Sequence, residues 1–363
     1  FEAAAGAAPG DAEAQFQLGK AAQVLGRHVQ AERAFRRCVE LDASRVEARA
    51  RLGALLAQAG NREEALTTLR EALAKDSGNV MALNALGDIE MASGAWEDAV
   101  RAWERSLGAH GAQAETAFKL AYAYESHGRF EDALPRYQAA RQMNPRRPPV
   151  LLALAALLEK LGRIHEAAPV LAEACAMRPD DAALALRWAR ALDFDGDVSP
   201  ASAALGRVAP GDPHRAEAVS FRAWIHARKG EPAEAETLFK EATAILGPGL
   251  SRDLAEGWLA QHAGRGEDAL NLYRRAIAAE PLRASAWDAL AGLLYRRSDL
   301  GGAMEAYTKL AELRPRQAEA WLRLGSLNLK LGRREAAAEA WGRALRVDPS
   351  NQLARKNLAV LKG

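Results

Sequence analysis

GRREAAAEAWGRALRVDP, Gly332 to Pro349, stands 204 residues after GRFEDALPRYQAARQMNP, Gly128 to Pro145, and 204 is six times 34. Glycine, alanine, a large aromatic and proline fall at matching places in the two stretches. Cut every 34 residues from Ala12, the chain falls into ten repeats without insertion or deletion: 12–45, 46–79, 80–113, 114–147, 148–181, 182–215, 216–249, 250–283, 284–317 and 318–351. Place 20 is alanine in all ten, from Ala31 to Ala337. Place 24 is always large and apolar, as in Phe35, Leu69, Trp103, Tyr137, Phe239 and Trp341. Place 8 is Gly or Ala, place 15 is glycine in nine repeats with Ser298 the exception, and place 32 is proline in six. A fixed period of this size is the mark of a stacked-repeat architecture.

Each choice has a physical cause. The first fourteen residues of a repeat carry apolar positions at helical spacing, as in FKLAYAYE from Phe118. Glycine at place 15 ends that helix, because it accepts left-handed dihedrals without a Cβ clash. A second amphipathic helix follows, and proline at place 32 stops it. Small residues at places 8 and 20 let the two backbones approach, and the large residue at place 24 fills the space beside them. One such pair cannot bury its apolar face alone, so ten stacked pairs share a core.

The period, the order of small residue, alanine, aromatic, small residue and proline, and the GR-x-x-x-A connector resemble the tetratricopeptide repeat, over residues 12–351. The resemblance implies an all-α fold, an α-solenoid forming a right-handed superhelix of antiparallel helix pairs, with the first helix of each pair lining a concave face. It implies a non-catalytic scaffold rather than an enzyme. Residues 1–11 read as an Ala/Gly-rich linker with Asp11 a helix N-cap. Residues 352–363 read as a C-terminal capping helix in which Leu353, Leu358 and Leu361 cover the last pair.

The totals exclude several functions. Acidic and basic residues nearly cancel, 47 against 49, so charge gives no reason to expect nucleic acid as partner. The longest uncharged apolar run, Val150 to Leu158, is far short of the roughly 20 residues of a membrane span. The two cysteines, Cys38 and Cys175, are expected as buried thiols. Neither a metal nor a cofactor is expected. The Ala, Arg and Gly content suggests a bacterial gene. No basic-then-apolar export signal opens the chain, and the cytoplasm is favoured over the periplasm, though the compartment is not fixed. The start at Phe1 rather than methionine allows for a missing upstream piece.

If the family geometry holds, places 9, 12 and 13 face inward. Place 9 supplies Arg190, Trp224 and Trp258; place 13 supplies Phe194, Arg228, His262 and Arg296; place 12 adds Gln261 and Tyr295. Trp and Arg dominate binding energy at interfaces, and this run is expected to grip an extended segment. The competing reading makes Trp224 and Trp258 part of the core. A second candidate face lies in repeat four, around Phe118 and Tyr122. At place 7, apolar in eight repeats, stand Arg222 and Glu256, expected to form an ion pair between neighbouring helices. The family's clamp for chaperone C-terminal carboxylates is missing: repeat one carries Phe16 and Lys20 where the clamp needs Lys and Asn, and repeat two carries Ala50 and Ala54. DFDGD, Asp193 to Asp197, has the acidic 1-3-5 spacing of a calcium loop, but its glycine is misplaced and Ala204 stands where the loop's glutamate belongs. It is read as the turn of repeat six.

The expected function is a protein-interaction scaffold holding a peptide or partner protein. Two alternatives remain open: the substrate-recognition arm of a larger transferase-type enzyme, and a periplasmic scaffold for polysaccharide export whose inner aromatics stack on glycan rings.

Overall fold

Helices begin at places 1 and 17 of nearly every repeat. In this computed structural model, which describes residues 8–195 and 198–362 without the side chains of Phe194, Asp195, Leu250 and Lys362, two compact bodies divide the chain, residues 1–157 and 158–363. The first body contains α1 (Ala12–Val24), α2 (His28–Leu41), α3 (Val46–Gln58), α4 (Arg62–Lys75), α5 (Val80–Ala92), α6 (Trp96–Ala109), α7 (Ala114–Ser126) and α8 (Phe130–Met143). Helix α9 (Pro148–Lys160) crosses the boundary. The second body continues with α10 (Ile164–Met177), α11 (Ala182–Asp195), a 3-10 turn (Ser199–Ala201), α12 (Ser202–Gly206), α13 (Arg215–Lys229), α14 (Pro232–Ile245) and α15 (Leu250–His262). It ends with α16 (Gly266–Ala279), α17 (Ala284–Arg296), α18 (Leu300–Leu313), α19 (Ala318–Lys330), α20 (Arg334–Val347) and α21 (Gln352–Lys362). The chain is all-α, its helices paired in antiparallel hairpins.

Close approach of the two helices of a pair is what the small residue at place 8 secures. A Cβ built on Gly19 would lie 2.6 Å from the Phe35 ring, and one on Gly257 2.5 Å from the Tyr273 ring. Phe35, Tyr137, Phe239, Tyr273 and Trp341, all at place 24, are essentially solvent-free. Neighbouring repeats are also tied by polar links. The indole Nε1 of Trp287 donates to the carbonyl of Pro281 at 2.8 Å, and that of Trp321 to Pro315 at 3.3 Å, each reaching back to the proline that closes the preceding repeat.

At place 15, Gly26, Gly60, Gly94, Gly128, Gly162, Gly230, Gly264 and Gly332 adopt φ between 69° and 84°. Ser298 adopts φ 61° at the same place, where its Cβ is strained. Ser298→Gly should relieve that strain and lose part of the gain to unfolded-chain entropy, for a net stabilisation of about 0.5 kcal/mol. A rise in the chemical-denaturation midpoint of the C-terminal repeats checks this, and a fall contradicts it.

Repeat six departs from the pattern. In place of a full second helix it has the 3-10 turn and the five-residue α12, followed by irregular chain over 207–214. Pro210 lacks an amide proton, clashes with the carbonyl of Gly206 and pushes Ala209 out of the helical region, so the helix cannot run on. DFDGD departs too: Asp193 lies inside α11 rather than in a turn, while the side chains from Phe194 to Asp197 lie outside the described residues. Asp11 caps α1, accepting from the Glu13 amide. On the C-terminal helix α21, Ala354 is buried and Leu358 and Leu361 pack on Trp341 and its neighbours, but Leu353 is exposed. The expected cover is thus supplied by Ala354, one residue along and turned toward the core.

Both cysteines are free and buried; burial pushes the Cys175 thiol up to about 11. No described helix is long and apolar enough to cross a membrane. Among the described residues no group of three His, Cys, Asp or Glu side chains is placed to hold a metal ion.

Candidate partner-binding site

Four successive first helices of the second body, α13, α15, α17 and α19, line one open cavity of about 510 Å³. Its walls carry Trp224, Arg228, Trp258, Gln261, His262 and Arg296. Those six are sequence-derived candidates, and their shared spacing of places 9, 12 and 13 brings them together. Asp288, Glu319 and Arg323 complete the polar lining. The volume lies in the range of sites that enclose a compact ligand or a few side chains.

The aromatic wall is anchored in the core. Phe239 is fully buried and makes an edge contact with Trp224 at 5.1 Å and a tilted contact with Trp258 at 4.9 Å. Trp258 is only 5% exposed, so it serves mainly as core with its edge at the cavity. Trp224 is partly buried. The His262 ring stacks on Trp258 with centroids 3.6 Å apart. Its Nδ1–H donates to the Trp258 carbonyl at 2.9 Å, which leaves Nε2 as the ring acceptor.

The polar wall is less fully paired. Arg323 meets Glu319 at 2.7 Å. Arg296 donates to the neutral Gln261 Oε1 at 2.6 Å. Its guanidinium lies over Gly292, 3.6 Å from where a Cβ would be. A bare backbone beside a cation leaves room for a ligand's main chain to come close.

Other candidates stand elsewhere. Arg190 is held by Glu217 in a two-pronged pair at 2.9 and 2.5 Å and does not line the cavity. Tyr295 accepts from Lys330 Nζ at 2.7 Å and also lies outside it. The side chain of Phe194 is not among those described. In the first body Phe118 packs against Tyr137 at 5.7 Å with Arg147 above its ring, whereas Tyr122 is 56% exposed. The ion pair expected between Arg222 and Glu256 does not form. Glu256 is taken by Arg252, one turn earlier on α15, at 2.6 Å, and Arg222 lines a separate open pocket with His226, Glu234 and Leu238. An i,i+4 partner on the same helix wins because it needs no rearrangement between helices.

Sequence reasoning missed two features. One is a smaller cavity of about 350 Å³ in the first body, lined by Ala54, Ala57, Ala85, Ile89 and Asp88; the run of small residues on adjacent first helices was its only signal. The other is a charge cluster built round a buried pair. Arg314, with its side chain at 0% exposure, donates to Asp193 at 3.0 Å across 121 residues of sequence. Arg228 and Arg283 lie 4.0 and 3.8 Å from the same carboxylate, and Asp288 lies 3.9 Å from both Arg228 and Arg314.

Tetratricopeptide-repeat models match residues 25–89, 76–146, 118–182, 160–225, 254–318 and 318–351. The chain belongs to the tetratricopeptide-repeat family. Tetratricopeptide-repeat domains bind protein partners. A curated wheat (Triticum aestivum) relative, an Hsp70-Hsp90 organizing protein, is 38% identical over 112 residues. The match takes in 30% of this tetratricopeptide-repeat chain and spans only 19% of the wheat protein's length. Among solved structures, MamA is similar at 20% identity with a TM-score of 0.41, over 47% of this chain and 94% of that one. The APC/C hetero-tetramer Cut9-Hcn1 is similar at 15% identity with a TM-score of 0.45, over 97% and 76% of the respective chains.

Proposed function

We propose that this tetratricopeptide-repeat protein is a non-catalytic scaffold that holds a peptide segment or partner protein at the cavity of repeats seven to ten. The observation that carries this reading is the convergence of Trp224, Arg228, Trp258, Gln261, His262 and Arg296 on one open cavity. Aromatic edges supply apolar contact, while Arg296, Gln261 and the Nε2 of His262 supply directed hydrogen bonds. Aromatic and arginine side chains are the groups that dominate affinity at protein interfaces. The residues present suit recognition rather than bond-making, since no nucleophile among them is paired with a base.

Trp258 is too deeply packed to serve as a clean probe, so the test uses the polar wall. The wild-type chain and an Arg296→Ala/Gln261→Ala variant, matched for helicity by circular dichroism, are immobilised and exposed to lysate of the source cell. A protein retained by the wild type should fall at least about tenfold in the variant, as for loss of a charged interfacial contact of about 1.4 kcal/mol. Equal retention of the same proteins by both chains would remove the cavity as the binding site.

A further inference from the structure

The geometry points to a latch: the Asp193 cluster fastens the first helix of repeat six to repeat nine, and the second body has an open arrangement in which that fastening is released. In a stacked-repeat array each repeat ordinarily touches only its neighbours. Here α11 of repeat six lies against α17 of repeat nine, past two intervening repeats. At that meeting point the polar link is the charge cluster. Asp193 projects from α11, and Arg314, at the end of α18, donates to it at 3.0 Å. Arg228 of α13, Arg283 just before α17, and Asp288 within α17 close around the pair.

Three features make this contact releasable rather than a fixed part of the core. First, it is ionic. Burying charges forfeits their hydration, and the attraction between them offsets that loss only in part. Second, it is incompletely satisfied: the Nε atoms of Arg283 and Arg314 are buried without a hydrogen-bond partner. Opening would hydrate both, together with the Asp193 carboxylate, which is only 10% exposed. Third, the chain beside it is built to bend. Repeat six has only the short α12 and the irregular stretch 207–214 in place of a second helix, so the stack is least continuous next to the latch.

The consequence bears on access. Arg228 and Asp288 belong both to the cluster and to the lining of the large cavity. A closed latch therefore walls the cavity on the side of repeat six, and a through-running extended segment meets that wall. The latch itself is independent of the binding role proposed above, because its test reads a distance and needs no ligand.

The experiment places spin labels at Ala183→Cys and Glu305→Cys, both exposed, in the full chain, with the buried Cys38 and Cys175 left in place. Pulsed dipolar spectroscopy then reports the separation of repeats six and nine. The labelled chain should show one short-distance population. Asp193→Asn and Arg314→Met should each add a longer-distance population while helicity stays unchanged. Asp253→Asn, which removes a buried carboxylate paired within its own repeat to Arg275 at 2.8 Å, should add none. A single unchanged distance in both latch variants overturns the proposal. So does loss of helicity in them, which would make the cluster a folding staple, and so does equal opening by Asp253→Asn.

Discussion

Phe239→Ala should destabilise repeats seven and eight by about 3–5 kcal/mol, the cost of removing a fully buried aromatic and leaving a cavity. The ring is 0% exposed, contacts both Trp224 and Trp258, and sits beside Ala223 and Ala255. Alanines on either side cannot collapse into the space, so the cost falls at the high end for its chemistry. The loss is local, because repeat arrays behave nearly as a sum of repeat and neighbour terms. Native-state hydrogen exchange is the suitable reading, since it resolves segments that a single melting curve would average. Amides of α13, α14 and α15 should exchange faster by a factor of at least about 100, the equivalent of about 3 kcal/mol. Amides of α2 to α4 should not change. Unaltered exchange across 215–262 would show that place 24 is not what holds a pair together. The same substitution loosens the Trp224 and Trp258 edges, so partner retention should fall with it.

Gly325→Ala is the second large effect, and its sign is the informative part. Alanine is the better helix former by about 1 kcal/mol, so on an exposed helix the change would stabilise. At Gly325 the new Cβ would fall deep within contact distance of the Trp341 indole. That ring is 1% exposed and donates through Nε1 to the Leu322 carbonyl at 3.2 Å. It can move only by breaking the bond or shifting α20. Overpacking costs about 1–3 kcal/mol and an orphaned buried indole N–H about 1–3 kcal/mol more. The net expectation is a loss of about 1–5 kcal/mol, seen as a lower denaturation midpoint. Gly342, on the second helix of the same repeat, has nothing nearer than the Arg346 guanidinium at 3.9 Å. Gly342→Ala should therefore stabilise by up to about 1 kcal/mol. Two glycines seventeen residues apart would then respond with opposite signs, and equal signs would contradict the packing account.

Much of the candidate site was legible because it inherits the repeat. Trp224, Trp258, Arg228, His262, Gln261 and Arg296 recur at fixed places, and a 34-residue period maps place onto face. Arg190 and Tyr295 occupy the same places yet sit outside the cavity, where Glu217 and Lys330 hold them. Side-chain partners of that kind come from neighbouring repeats and vary from one to the next, so no place rule announces them. Ser298 shows the opposite case. Its left-handed φ was implied by its position alone, whatever its side chain preferred.

The sequence by itself determined the helical pairs, their turns and the residues that fill them, because periodicity, glycine dihedrals and proline stops act within about one repeat length of chain. Only the tertiary structure decided that Asp193 leaves the turn for the core and meets Arg314 there, 121 residues away. It also decided that Glu256 would choose Arg252 over Arg222, and that Trp258 would bury all but an edge. Local geometry is set by steric rules each residue carries with it. A contact between repeats six and nine depends on the curvature accumulated across the repeats between them, and on which charges can share one dry space.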